Sequence, residues 1–492
     1  MKLTVLTSDI VKAKTDLLVI ATSADEIQKN SLLSLVDKKL GGELKDVLKA
    51  EDYKAKLGET KILFSGKRLG ARYVAILGLG ETKNFNLEAA RKCGATIRAI
   101  AEQLKCKKVA SVLPGEELDK PSAGELSQAT AEGACLAAYQ FSRYLKPKKE
   151  SLTEISFYVA SQHAAQCKKG ITLAETLCTA VYLARDMVNT PASDMTPLAL
   201  AKAAKAIKGV RVRVHNLAAI RKLKMGAFLG VAAGSTANPP YFIEMHYTPK
   251  GKAKKKIALI GKGVTFDSGG YSIKPAKSME TMKDDMAGAA AVIAYMSVIA
   301  KLAPKVAVSG YVAATENMVD GLAQRPGDIV TAMNGKTIEV LNTDAEGRLT
   351  LADAITYALK GKPDLMIDTA TLTGACLVAL GMNYSAIMGN DQDLIERLIS
   401  AGKQTGENFW QLPLVDDYRD ELKSPIADLK NIGGPYGGSI NGGLFIENFV
   451  GKTKWVHADI AGPAYTEKPG LYTSRGGTGV MVRTFARLIA DL

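Results

Sequence analysis

Histidine is scarce in this chain. The four present, His163, His215, His246 and His457, form no H-E-x-x-H pair, which excludes a single-zinc protease built on that motif. The six cysteines, Cys93, Cys106, Cys135, Cys167, Cys178 and Cys376, include no C-x-x-C pair. Their scatter argues against both a zinc knuckle and a disulfide framework and favours free thiols. Long apolar runs are missing too: the longest uncharged one, residues 286–300, has 15 residues, short of the roughly 20 needed to cross a bilayer. It reads as a buried helix. The first residues lack the apolar core and cleavage site of a signal peptide, so a cytoplasmic protein without membrane association is expected. Phosphate-loop and dinucleotide fingerprints fail as well. Val330 and Ile446 stand where glycines would have to precede Gly335-Lys-Thr and Gly451-Lys-Thr, and Gly78-Leu-Gly80 lacks a third glycine.

What remains is an ordinary globular composition, 47% apolar and 23% charged over 492 residues. That is too long for one ordinary core, so two domains are expected. The net charge of +14 is unevenly spread: residues 201–260 hold 13 Lys/Arg and a single acid, Glu244. Such a segment is a candidate patch for nucleic acid or another acidic partner, or else a solvated surface of alternating Lys and Ala.

Up to about residue 165, short β-like runs at 3–6, 16–21, 60–65, 73–77 and 155–160 alternate with helical stretches, which predicts an α/β domain. Apolar spacing predicts a helix over 86–104 with Asn86 as its cap. The proline-containing segment 145–150 is expected to break a helix before the last β-run. A polar stretch at 161–170 is expected to separate a first domain, 1–165, from a second, 170–492. A helix over 171–188 then stops at Asn189-Thr-Pro191, and Thr196-Pro197 opens another over 198–208. The first domain shows no catalytic constellation.

Chemistry concentrates in three later stretches. Residues 342–349 read Asn-Thr-Asp-Ala-Glu-Gly-Arg-Leu, between a β-like run at 336–341 and helical spacing at 349–359. On an extended segment Asp344, Glu346 and Arg348 would point the same way, at a strand's carboxyl end where open α/β sheets place ligands. Residues 257–274 form a β-run ending in Gly261, Gly263, Gly269 and Gly270, which is expected to leave Lys262, Asp267 and Lys274 in an irregular loop. Asp284-Asp285 precede the apolar helix, with Asp285 the candidate aimed at a cleft. Asp267, Asp285, Asp344 and Glu346 would repel one another unless cations neutralised them. Two divalent ions about 3.5–4 Å apart could do so, activating a water and polarising a carbonyl. Spacing alone leaves open that each acid merely caps a helix or pairs at the surface.

These stretches, with Arg185-Asp-Met-Val-Asn-Thr-Pro191, Met282-Lys-Asp-Asp-Met286, Asp368-Thr-Ala-Thr-Leu-Thr-Gly374 and Ser424-Pro-Ile-Ala-Asp-Leu-Lys-Asn431, resemble the leucyl aminopeptidase (cytosol aminopeptidase) family over essentially all of residues 170–492. The resemblance implies an enzyme that removes N-terminal, leucine-like residues from short peptides. It implies an α/β fold with a smaller N-terminal macro-type domain and a larger catalytic domain around a central mixed sheet, assembled as a homohexamer. Lys262, Asp267, Asp285, Asp344 and Glu346 match ligands of two divalent ions, manganese or zinc, with magnesium or cobalt as further options. Asp267 and Glu346 would contact both ions, Asp344 one, Lys262 and Asp285 the other. Lys274 matches an oxyanion-stabilising lysine and Arg348 an arginine that holds a bicarbonate proton shuttle. Met282, Thr371 and Gly374 match positions lining the pocket for the first side chain. Some bacterial members bind DNA, which keeps the 201–260 segment a candidate for that role. Two departures stand out: Tyr241 follows paired prolines where a basic residue is expected, and Ile440-Asn-Gly-Gly443 replaces the more usual Thr-Ala-Ala. The second is expected to reshape the pocket or soften a helix start, at about 0.5–1 kcal/mol for glycine relative to alanine.

Overall fold

Alternate residues of one strand serve two different cores. In Thr15–Thr22, Leu17 and Val19 join an apolar cluster with Ile97, Leu126 and Phe157, whereas Leu18 and Ile20 join another with Leu33, Leu44 and Val74. A strand buried on both sides belongs to a sheet covered on both faces. The computed structural model, which describes all residues except 119–120 and 147–150, places β1 (Lys2–Leu6), β2 (Thr15–Thr22), β3 (Thr60–Phe64), β4 (Ala71–Gly78), β5 (Lys108–Val112) and β6 (Glu154–Tyr158) in that sheet, in the order β1-β6-β5-β2-β4-β3. Neighbours run parallel except β3 against β4. The five expected β-runs are present, and β5 is a strand that patterning did not single out. The helix expected at 86–104 is Leu87–Gln103, capped by Asn86, whose side chain accepts from Ala89 N at 3.0 Å. The expected helix break at 145–150 falls largely outside the described residues.

The chain divides inside one long helix, Ala164–Asn189. One unit is Met1–Thr179 with Pro469–Ser474, the other Ala180–Lys468 with Arg475–Leu492. The polar stretch 161–170 is helical from Ala164 onward: Lys168 and Lys169 are exposed while Cys167, Gly170 and Ile171 are buried. Polarity there marks the wet face of a helix.

The second unit contains β7 (Arg211–His215), β8 (Tyr241–Tyr247), β9 (Lys256–Asp267), β10 (Ala307–Asn317), β11 (Asp328–Thr331), β12 (Thr337–Val340), β13 (Leu365–Ala370), β14 (Tyr384–Gly389), β15 (Asn408–Gln411), β16 (Leu429–Lys430) and β17 (Lys454–Asp459). Eight of them form a mixed sheet in the order β15-β14-β17-β13-β9-β10-β8-β7, and β11-β12-β16 form a small one. At its centre β17, β13, β9 and β10 are parallel, so Asp459, Ala370, Asp267 and Asn317 all end strands at one edge. The apolar run 286–300 is the buried helix Ala287–Leu302, packed on β9. Among the described residues no helix is long and apolar enough to cross a membrane.

The helix Gly347–Ala358 begins directly after Glu346 and is pinned from within. Asp353, fully buried, accepts the backbone N–H of Phe228 at 2.9 Å and of Met333 at 2.7 Å, and burial pushes its carboxyl up to about 7. Asp353→Ala would strand two buried donors, each costing about 1–3 kcal/mol. Urea denaturation should therefore show a loss on the order of 2–6 kcal/mol, and a smaller one for Asp353→Asn, which keeps an acceptor.

Candidate metal centre

Lys262 lies inside β9 and Asp267 is its last residue, so only Lys274 of the three falls in an irregular segment. The strand continues through Gly261 and Gly263 because they stay in register with Val312 and Ala314 of β10. Of the four glycines only Gly269 (φ 85°) and Gly270 (φ 62°) adopt left-handed backbone. Nor is the 342–349 stretch extended. Ala345 N donates to Asn342 O at 3.2 Å, closing a turn, and Glu346 takes helical dihedrals just before Gly347–Ala358. Arg348 therefore belongs to the first helical turn, not to a row shared with the acids.

The turn nevertheless delivers both acids to the end of β9. One oxygen each of Asp267, Asp344 and Glu346 lies within 4.8 Å of the others. Lys262 Nζ stands 2.6 Å from Asp285 Oδ1 and 2.7 Å from Glu346 Oε1, and donates to Thr371 O at 2.9 Å. Lys274 Nζ stands 2.9 Å from Asp267 Oδ2 and 2.5 Å from Asp344 Oδ1. Lys262 reaches this place only because residue 347 is glycine: a Cβ there would lie 2.6 Å from Lys262 Cε.

Four carboxylates thus surround two ammoniums, an imbalance of two negative charges when all are ionised. The titration behaviour follows. Burial alone would depress Lys262, yet Asp285, Glu346 and Asp267 raise it above the ordinary lysine range. Lys274 is likewise raised, by Asp267 above all, against its burial. Burial lifts Asp267, Asp285 and Asp344 above the usual carboxylate range, with neighbouring acids adding to the effect. The donor set suits hard or borderline divalent cations. Asp285 Oδ2, Asp344 Oδ1 and Glu346 Oε1 are buried without a hydrogen bond. The lysine contacts at Asp344 Oδ1 and Glu346 Oε1 are close in distance but not aligned as hydrogen bonds. Oxygens left so are what a cation between them would engage.

Arg348 adjoins the cluster with a different deficit. Its Nη1 donates to Asn431 O at 2.9 Å, its Nε is buried without a partner, and among the described residues no carboxylate pairs with it. Burial pulls it down to about 10. A small anion would answer that unmet charge.

Thr371 is drawn in through both its carbonyl, at Lys262, and its hydroxyl, which donates to Asp285 Oδ1 at 2.8 Å. Met282, half-buried, opens the short turn Met282–Asp284 immediately before Asp285, and Gly374 is exposed at the start of the helix Gly374–Leu380. Sequence reasoning missed three supports. Asn317 donates to Asp267 Oδ1 at 2.8 Å and to Thr343 O at 3.0 Å. Thr343 accepts from Ser272 N at 2.8 Å. Asn431 accepts from Leu341 N at 2.9 Å and donates to Asn342 O at 2.7 Å, bracing the turn. Asn431 closes one of the recognised motifs, so its position could have flagged it; nothing local marked Asn317. Asp284, passed over for Asp285, is also buried, and burial pushes it up to about 7.

A mixed α/β sheet with carboxylates and lysines converging at the carboxyl edge of its parallel strands defines a metal-dependent hydrolase. The chain belongs to the cytosol aminopeptidase family: the family's catalytic domain matches residues 182–486 and its N-terminal domain residues 19–148. It is therefore an aminopeptidase. Probable cytosol aminopeptidases of Alkaliphilus metalliredigens and Thermosynechococcus vestitus are 40% and 42% identical, over 100% and 97% of both chains respectively. A tomato leucine aminopeptidase mutant superposes with a TM-score of 0.91 at 34% identity, covering 100% of this chain and 97% of its own. The bottromycin maturation enzyme BotP, in a complex with Mn, gives 0.83 at 32% identity, covering 97% and 99%.

Metal at about 100 times its Kd should add about 2.7 kcal/mol of stability. Mn2+ should accordingly raise the melting temperature of chelator-treated protein, and Asp267→Ala should lose most of that rise. A wild-type protein indifferent to both Mn2+ and Zn2+ would contradict a metal site here.

Proposed function

We propose that this chain is a two-metal aminopeptidase that removes leucine-like residues from the amino ends of short peptides. The observation that carries this reading is the set of buried carboxylate oxygens left without hydrogen bonds around Lys262 and Lys274. Lys262, Asp267, Asp285, Asp344 and Glu346 would hold the ions, manganese or zinc by preference and magnesium or cobalt otherwise. Asp267 and Glu346 would be shared between the two ions, Asp344 would belong to one, and Lys262 and Asp285 to the other. The pairing of Lys262 with Asp285 and of Asp344 with Asp267 across Lys274 supports that division. When bound, the two ions would activate a water and polarise the scissile carbonyl, and a bicarbonate at Arg348 would shuttle the proton.

The chain's own groups supply the rest. The Lys274 ammonium, kept charged by the acids beside it, is the donor for the oxygen on which negative charge develops, an interaction that is strong in a site shielded from water. Buried Arg348 orients an anion through a guanidinium that no carboxylate among the described residues pairs with. Met282, Thr371 and Gly374 line the pocket for the first side chain. The relatives' description as cytosol enzymes supports work in the cytoplasm, and the family supports a homohexamer. A second role, nucleic-acid binding by the 201–260 segment, draws support from the exposure of Lys202, Lys205, Lys208, Arg211, Arg213 and Lys222. Phosphate contacts would make such binding steeply salt-dependent.

Leucine amide should be hydrolysed, and N-acetyl-leucine amide and p-nitrophenyl phosphate should not; equal rates on the free and acetylated amides would rule out capture of the amino end. Lys274→Ala should lower kcat by about 10²–10³ while calorimetry still counts two metal ions. Loss of an ion from that variant would make Lys274 a ligand. Lys262→Ala should weaken one site selectively and Asp267→Ala both.

A further inference from the structure

The segment that leaves β13, residues 371–374, is held from two sides by groups that touch neither the carboxylate cluster nor Lys262. On one side is Asp459, the fully buried last residue of β17. Its Oδ1 accepts Leu372 N at 3.0 Å and Ala461 N at 3.2 Å, and its Oδ2 accepts the Thr373 hydroxyl at 2.7 Å. With its one proton given to Asp459, Thr373 Oγ1 can only accept elsewhere. It accepts from Cys376 N at 3.1 Å, capping the helix Gly374–Leu380, and its 2.8 Å contact with Ser439 Oγ is then donated by the serine. On the other side is the helix Gly438–Val450. A Cβ on Gly442 would stand 3.0 Å from Leu372 Cδ2 and 3.4 Å from Thr373 Cγ2, so glycine lets the helix close on this segment.

We propose that Asp459 is a positioning residue that fixes residues 371–374 and, through them, the enzyme's choice among first side chains. The proposal rests on the reading of this segment as a wall of the side-chain pocket. Thr371 ties the same segment to Lys262 and Asp285, so a shift of the wall changes where a substrate side chain sits relative to the reacting centre. The Asp459 carboxylate has no cationic partner within ion-pair distance among the described residues, and its hydrogen bonds go to this segment and to Ala461. Its place at the end of a central strand makes it an anchor that the sheet itself holds still.

The test compares wild type, Asp459→Ala, Asp459→Asn and Thr373→Val in their Mn2+-loaded forms, measuring kcat and KM on leucine, alanine and phenylalanine amides. Removing the acceptor should raise KM for leucine amide about tenfold, with a smaller change in kcat, and shrink the leucine-to-alanine ratio of kcat/KM by a similar factor. Asp459→Asn, which keeps one carbonyl acceptor, should restore much of the ratio. Thr373→Val, which removes a single hydroxyl at nearly constant shape, carries the test if Asp459→Ala does not fold, and should narrow the ratio about threefold. An unchanged ratio in the variants, even with lower activity or melting temperature, would reduce Asp459 to a purely structural role and overturn the proposal. A wild-type enzyme without side-chain preference would overturn the pocket assignment and the proposal together.

Discussion

Like charges gathered out of water are the constraint on which the catalytic unit depends. Asp267, Asp285, Asp344 and Glu346 arrive from a strand end, the start of a buried helix and a tight turn, and none would converge spontaneously. Each buried carboxylate is expensive unless paired, and two lysines cannot pair four. The surrounding structure holds the acids against their own repulsion. β9 runs through the middle of the sheet to bring Lys262 and Asp267 in, Gly347 clears the path of the Lys262 side chain, and Asn317 and Asn431 fix Asp267 and the turn.

The same constraint explains where the positive charge is. The cations that matter to the site are few, with Lys262 and Arg348 buried and Lys274 half-buried, whereas the basic excess in 201–260 is mostly exposed. The one acid of that segment, Glu244, is buried on β8 and gives its carboxylate to His215, to His246 at 3.1 Å and to the hydroxyl of Tyr357 at 2.7 Å. It does not offset the surrounding lysines, so net charge and site charge are separate matters in this protein.

The identities of the acids were legible in the sequence because carboxylates near glycines and a helix start are chemically conspicuous, and the ordered motifs made them recognisable. Their local geometry was not. Two-residue spacing suggested an extended segment for Asp344 and Glu346, but the turn closed by Ala345 N and Asn342 O prevails and still brings both to Asp267. Glycines around Lys262 suggested a loop, whereas pairing with β10 keeps that stretch in the sheet. Asn317 was invisible because its role depends on β10 lying beside β9, a non-local fact. A polar run at 161–170 resembles a linker, although Cys167 and Gly170, on either side of its two exposed lysines, are buried along a helix. Patterning reads composition along a face well, and register between distant strands hardly at all.

Anomalous diffraction from crystals soaked in Mn2+ tests the central claim most directly. Two peaks should appear, separated by about 3.5–4 Å. Asp267 and Glu346 should lie within ligand distance of both, Asp344 of one, and Lys262 with Asp285 of the other. A single peak, or none with both ammoniums still seated among the carboxylates, would contradict the account.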